Sequence, residues 1–163
     1  MSHPQRLATF DYVGLYRYPI TVCTLDRQKF FTVAATVDAA RSHFLQQAPV
    51  FGCAVIVYCF MPDHLHLLIE GTTDDAALEP FVSKAKQTSG FEFATHAHRR
   101  LWQKGYFDRV LRNDESTVDV IRYIIANPVR AGLVKDPAEY PFWGSGVYTR
   151  EELIDLIALE RHR

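Results

Sequence analysis

The stretch from Val50 to Gly71, VFGCAVIVYCFMPDHLHLLIEG, constrains the fold more than any other part of the chain. Residues 50 to 60 are a β-branched and aromatic run that reads as a central strand. Pro62 and Asp63 break it with turn chemistry, and residues 64 to 71 read as the returning strand. That return strand carries His64 and His66 where valine or isoleucine would pack better. Residues two apart in a strand project to one face, with Cα atoms about 6.6 Å apart at ~3.3 Å per residue. Both imidazoles can therefore turn toward one ion, while Leu65, Leu67 and Ile69 point the other way into a core. The plainer reading is a pair of histidines satisfied by backbone carbonyls. Two features weigh against it: the two faces are patterned rather than mixed, and unpaired polar groups are costly on a central strand.

The rest of the chain supplies partners for this hairpin. Residues 16 to 25 read as a first strand, in which Pro19 suggests an edge or a strand start. Residues 30 to 47 place Phe30, Val33, Val37, Ala40 and Phe44 at helical spacing, and residues 74 to 97 read as a second helix. Residues 105 to 112 alternate as a fourth strand. Residues 115 to 128 form a helix capped by Ser116 and stopped by Pro128, and a last helix starts from a Thr149 cap. The order β-α-β-β-α-β-α, followed by an irregular stretch and a final helix, predicts an α+β fold. This is a ferredoxin-like split βαβ sandwich, an antiparallel sheet with helices on one face and added C-terminal helices. A chain of 163 residues fits a single domain spanning 1–163, with the C-terminal helical extension from about 149.

Three cysteines without C-x-x-C spacing argue against a disulfide framework or a thiolate zinc site, and fit a reducing compartment. The N-terminus has no signal-peptide pattern and no uncharged apolar run reaches membrane-spanning length, so no membrane partner is expected. Net charge is −1, but its distribution is uneven. Residues 70 to 80 carry only acidic charges. Residues 84 to 112 carry seven basic residues against Glu92 and Asp108. Arg99, Arg100, Lys104, Arg109 and Arg112 are the candidates for binding a phosphate backbone. A merely solvated helix and loop would show the same surplus.

Two histidines do not close a site. The best further supply is the helix containing DVIRYIIANP, where Asp119, Tyr123 and Asn127 follow at i, i+4 and i+8 and share one face. Val120, Ile121, Ile124 and Ile125 occupy the buried remainder. Tyr58, Tyr106 and Tyr140 suit a core tyrosine with a bonded hydroxyl; Tyr123, flanked by polar residues on its own stripe, suits that role less well.

The residues YCFMPDHLHLLIEG resemble the histidine–hydrophobe–histidine motif of the single-tyrosine transposases. LWQKGYFDRVLR, VIRYIIANPVRAGLV and EYPFWGSG further resemble the REP-associated tyrosine transposases of bacteria, over about residues 18 to 148. The resemblance implies a ferredoxin-like sheet bearing the histidine pair and a nucleophilic Tyr123 on the following helix. It implies Asn127 as a third metal ligand beside His64 and His66, and Mg2+ or Mn2+ as the ion. It also implies cleavage of single-stranded DNA near hairpins of repeated extragenic palindromes, in a bacterial cytoplasm close to the nucleoid, by a monomer or a homodimer. Residue chemistry alone leaves the ion open, since imidazoles usually favour zinc, manganese or iron over magnesium. A phenol with an ordinary pKa of about 10 is a weak nucleophile at neutral pH, which explains why a cation would be needed beside it.

Two alternatives stand beside this expectation. A metallohydrolase could use His-x-His, but the Asp-His that commonly extends such a pattern is absent after His66. A non-catalytic module of the same fold would bind single-stranded nucleic acid by stacking bases on sheet aromatics, and would need no metal ligands.

Overall fold

The computed structural model of the protein describes residues 13–111 and 116–160. Its strands are β1 (Arg17–Cys23), β2 (Cys53–Met61), β3 (His64–Gly71), β4 (Phe107–Asp108) and β5 (Trp143–Gly144). Its helices are α1 (Ala34–Gln47), α2 (Leu78–Ala97), α3 (Thr117–Ile125), α4 (Asn127–Arg130) and α5 (Arg150–Glu160). All strand pairs are antiparallel and the sheet order is β4-β1-β3-β2-β5. The first four strands have the ferredoxin-like order, and β5 adds to the free edge of β2.

The hairpin forms as its composition dictates, with β3 in the middle of the five-stranded order. Val55, Tyr58, Phe60, Leu65, Leu67 and Ile69 join one core with Phe44, Phe81, Val82 and Trp102, under α1 and α2. Val57, Cys59, Met61 and Leu68 join a second core with Ile121, Ile124, Ile125, Trp143 and Leu153. The C-terminal additions thus cover the opposite face of the sheet from α1 and α2. A register shift between Val55 and Val57 sets Cys59 opposite His66 and Met61 opposite His64, so the histidines share the second face.

Several expected boundaries move for visible reasons. The first helix starts at Ala34, not at residue 30, because Phe31 N–H is bonded to the Pro62 carbonyl at 3.0 Å and a turn precedes the helix. The strand expected from residue 50 starts at Cys53: a 3-10 turn over Ala48–Phe51, with Pro49 as its second residue, is closed by Gly52, whose φ of 69° suits glycine. Pro19 does not mark an edge, since β1 lies between β4 and β3. The fourth strand shrinks to Phe107–Asp108, although Arg109 N–H and Leu111 N–H still donate to the carbonyls of Pro19 and Arg17. Pro128 does not end one long helix; α3 stops at Ile125 and Pro128 sits inside the separate turn α4. The Ser116 cap forms, accepting from Asp119 N–H at 3.3 Å. Thr149 Oγ1 accepts from Glu152 N–H at 3.1 Å, which caps α5.

Candidate active site

His64 and His66 stand side by side on β3, with their Nε2 atoms 3.0 Å apart and their rings nearly perpendicular at 88°. Each outer nitrogen has its own support. Nδ1–H of His64 donates to Asp63 Oδ1 at 2.6 Å, and Asp63 Oδ2 accepts from Arg27 Nε at 3.0 Å. Burial opposes ionisation of Asp63, but the bonds from Arg27 and His64 outweigh it and hold the carboxyl below its ordinary value. Nδ1 of His66 meets Thr21 Oγ1 at 3.1 Å, a hydroxyl able to donate or accept and so compatible with either tautomer. Burial, reinforced by the nearby charges of His64, Arg130 and Arg27, pushes the His66 pKa down to about 3. His66 is therefore neutral at pH 7, with a ring lone pair available.

The local chain explains this support. The Asp63 carbonyl receives both Thr24 N–H (3.1 Å) and Thr24 Oγ1 (3.0 Å), which fixes the β2–β3 turn to the end of β1. Asp26 and Arg27 both adopt φ of 54°, uncommon for residues other than glycine, and this turn delivers the Arg27 guanidinium to Asp63.

A cleft of about 580 Å³ opens beside the pair, lined by Thr21, His66 and Asp108 from the sheet, Arg109 just after β4, and Asp119, Tyr123 and Ile124 from α3. His66 and Tyr123 thus share one cleft. The Tyr123 side chain is 60% exposed, whereas Tyr58, Tyr106 and Tyr140 are buried as their sequence context implied. Asp119 faces the cleft but pairs with Arg122 at 2.7 Å. Asn127 opens α4; its Oδ1 accepts from Arg130 at 2.8 Å, and its Nδ2 is buried with no partner among the described residues.

A divalent ion suits the donors present. Two ligands at ~2.1 Å in adjacent octahedral positions are about 3.0 Å apart, the spacing that the two Nε2 atoms show. Among the described residues no group of three or more His, Cys, Asp or Glu side chains is placed to hold a metal. Among the described residues, then, a third protein donor would have to be of another type, such as a carboxamide.

The five basic candidates separate. Arg109 lines the cleft. Arg99 and Arg100 line a different groove of about 560 Å³ beside α2, with Lys86, His98 and Trp102. Lys104 is exposed on the following loop, and Arg112 lies outside the described residues. Sequence reasoning missed Thr21, Arg27, Asp63 and Arg130. Asp63 was visible beside the histidines as turn chemistry, and Arg130 lies only three residues after Asn127; for Thr21 and Arg27 no local signal exists, because tertiary structure alone brings them in.

The sequence pattern of the family described as "Transposase IS200 like" matches residues 12–127. A Haemophilus influenzae protein assigned as a REP-associated tyrosine transposase is 25% identical over 140 residues, covering 79% of this chain and 78% of that protein. Among solved structures, a REP-associated tyrosine transposase bound to a REP hairpin aligns with a TM-score of 0.71 and 19% identity, over 88% of this chain and 82% of that one. A Deinococcus radiodurans protein assigned as a transposase aligns with a TM-score of 0.51 and 24% identity, over 76% of this chain and 96% of that one. At these identities the two structures establish the fold. No helix among the described residues is long and apolar enough to cross a membrane.

Proposed function

This chain belongs to the IS200-like transposases, and we propose that it cuts and rejoins single-stranded DNA beside hairpins, using Tyr123 as nucleophile and a divalent ion, Mg2+ or Mn2+, held by His64, His66 and Asn127. The observation that carries this reading is the cleft shared by His66 and the exposed Tyr123. The solved relative bound to a REP hairpin supports the class of substrate, together with the motifs that resemble the REP-associated group.

In this reading Tyr123 Oη forms a bond to the scissile phosphorus as the bond to the 3′-oxygen breaks. The phenol proton departs and the 3′-oxygen takes one up, leaving a 5′-phosphotyrosine and a free 3′-hydroxyl. The reverse attack by a 3′-hydroxyl restores the phosphodiester and the tyrosine, so the energy of the bond is kept. Asp63 and Thr21 orient the two imidazoles, and the burial that keeps His66 neutral preserves its lone pair. When bound, the ion would polarise the scissile phosphate and offset the charge that develops there. Arg109, on the wall of the cleft, suits a phosphate contact.

Incubation with hairpin-bearing single-stranded DNA and manganese tests the proposal. The parent protein should form a covalent protein–DNA adduct, and Tyr123→Phe should form none while binding the hairpin normally. His64→Ala and His66→Ala should each lose manganese-dependent cutting. An adduct in the phenylalanine variant would remove Tyr123 from the mechanism, and hairpin binding without any adduct in the parent would favour the non-catalytic module.

A further inference from the structure

Arg130 lies with its guanidinium carbon 3.8 Å from the centre of the Tyr123 ring. One of its terminal nitrogens donates to the Tyr123 carbonyl at 2.7 Å and to Asn127 Oδ1 at 2.8 Å. That nitrogen carries two N–H bonds, one for each acceptor. We infer that Arg130 is a positioning residue that locks the nucleophile and the neighbouring carboxamide into one arrangement. The inference rests on the proposed role of Tyr123.

The need for such a lock follows from the local chain. Tyr123 is exposed, and its hydroxyl has no hydrogen bond among the described residues, so packing alone does not fix the ring. The α3 helix ends two residues later, so the carbonyls of its last turn, that of Tyr123 among them, lack a continuing helix to receive them. Arg130 answers both defects. Its planar cation attracts the aromatic face from one side, and its N–H groups occupy the open Tyr123 carbonyl and the amide oxygen. A lysine could keep the charge but has no plane to lay against the ring. Arg130 is itself exposed and belongs to neither core, so its replacement leaves the fold intact.

Three variants and two readouts test this. In single-turnover reactions Arg130→Ala should form the adduct about 10- to 100-fold more slowly, the scale expected for a misplaced reacting group. Arg130→Lys should be slowed by a similar factor, and added guanidinium should restore part of the Arg130→Ala rate where sodium chloride of equal ionic strength does not. Hairpin affinity should stay within about twofold of the parent in both. In the second readout, the protein is labelled with 3-fluorotyrosine and Tyr123 is identified by the signal missing from Tyr123→Phe. Its fluorine resonance should shift and narrow in Arg130→Ala without DNA or metal. Parent-like adduct rates in Arg130→Ala overturn the inference. So does a full rate in Arg130→Lys with weakened hairpin binding in Arg130→Ala, which would make Arg130 a phosphate contact. Should the parent form no Tyr123-dependent adduct, the proposed function fails, and an unmoved fluorine signal would then overturn the positioning role separately.

Discussion

Cys59 stands opposite His66 in the sheet, on the same face as the histidine pair, and a thiolate there would compete for any metal. Burial prevents it by pushing the Cys59 thiol up to about 12, and the Cys53 thiol up to about 11. Both thiols should resist alkylation at pH 8 until the protein is unfolded, a result readable by mass spectrometry. The linkage also has a sign. In the unfolded chain these thiols lose their protons near their ordinary value of 9.0, but in the folded protein only near 11 and 12. Folding is therefore disfavoured progressively as pH rises from about 9 to about 12, and thermal melts over that range should show a falling midpoint that substitution of both cysteines by alanine flattens. At this scale the sequence was legible where a residue's neighbours in the chain decide its environment. Tyr123 stood apart from Tyr58, Tyr106 and Tyr140 because polar residues share its helical stripe. Arg27 and Thr21 were not legible, since they reach the histidines from β1 and the turn after it, about 40 residues away along the chain.

The helix that bears Tyr123 is held from behind by α5. Leu153 is fully buried against Ile121, Ile124 and Ile125 of α3, and Arg122 donates to the Ile157 carbonyl at 3.0 Å. Leu153→Ala should cost about 2–4 kcal/mol through the lost apolar contact and the cavity left behind. Urea denaturation should show it as a lower midpoint with an unchanged slope, whereas a change within ~0.5 kcal/mol would mean that α5 contributes little to the fold. The strand β3 and the caps of α3 and α5 were readable because they depend on period and on near-neighbour hydrogen bonds. The irregular stretch before α5 was not read as structure, yet it supplies β5, whose two residues pair with Tyr58 and Cys59. A two-residue strand carries no period of its own; Trp143 is drawn there by its burial and by its Nε1–H bond to the Pro137 carbonyl at 2.8 Å.

Over the whole molecule, the two basic regions lie on different sides of the sheet. Arg99 and Arg100 border a groove with Trp102, which belongs to the core under α1 and α2, while Arg109 borders the Tyr123 cleft opposite. A hairpin that engages both must bend around the β4 edge. Replacing Arg99 and Arg100 by alanine should then weaken hairpin binding and lower its salt slope by about 0.7 to 0.9 per lost contact, without slowing the adduct step at saturating DNA. Arg109→Ala should slow that step itself. Titrations of affinity against salt check the first outcome, and an unchanged slope would make the α2 groove a solvated surface. The two walls of the cleft also differ in how they are built. His64 and His66 lie on a strand hydrogen-bonded along both sides, whereas α3 meets the sheet through apolar contacts and an exposed Arg17–Thr117 bond of 2.9 Å. Greased surfaces shear where ladders must rupture. The cleft is built like a vice with one fixed jaw: in the proposed reaction, load from a strained strand would move the tyrosine's jaw and leave the imidazole pair true.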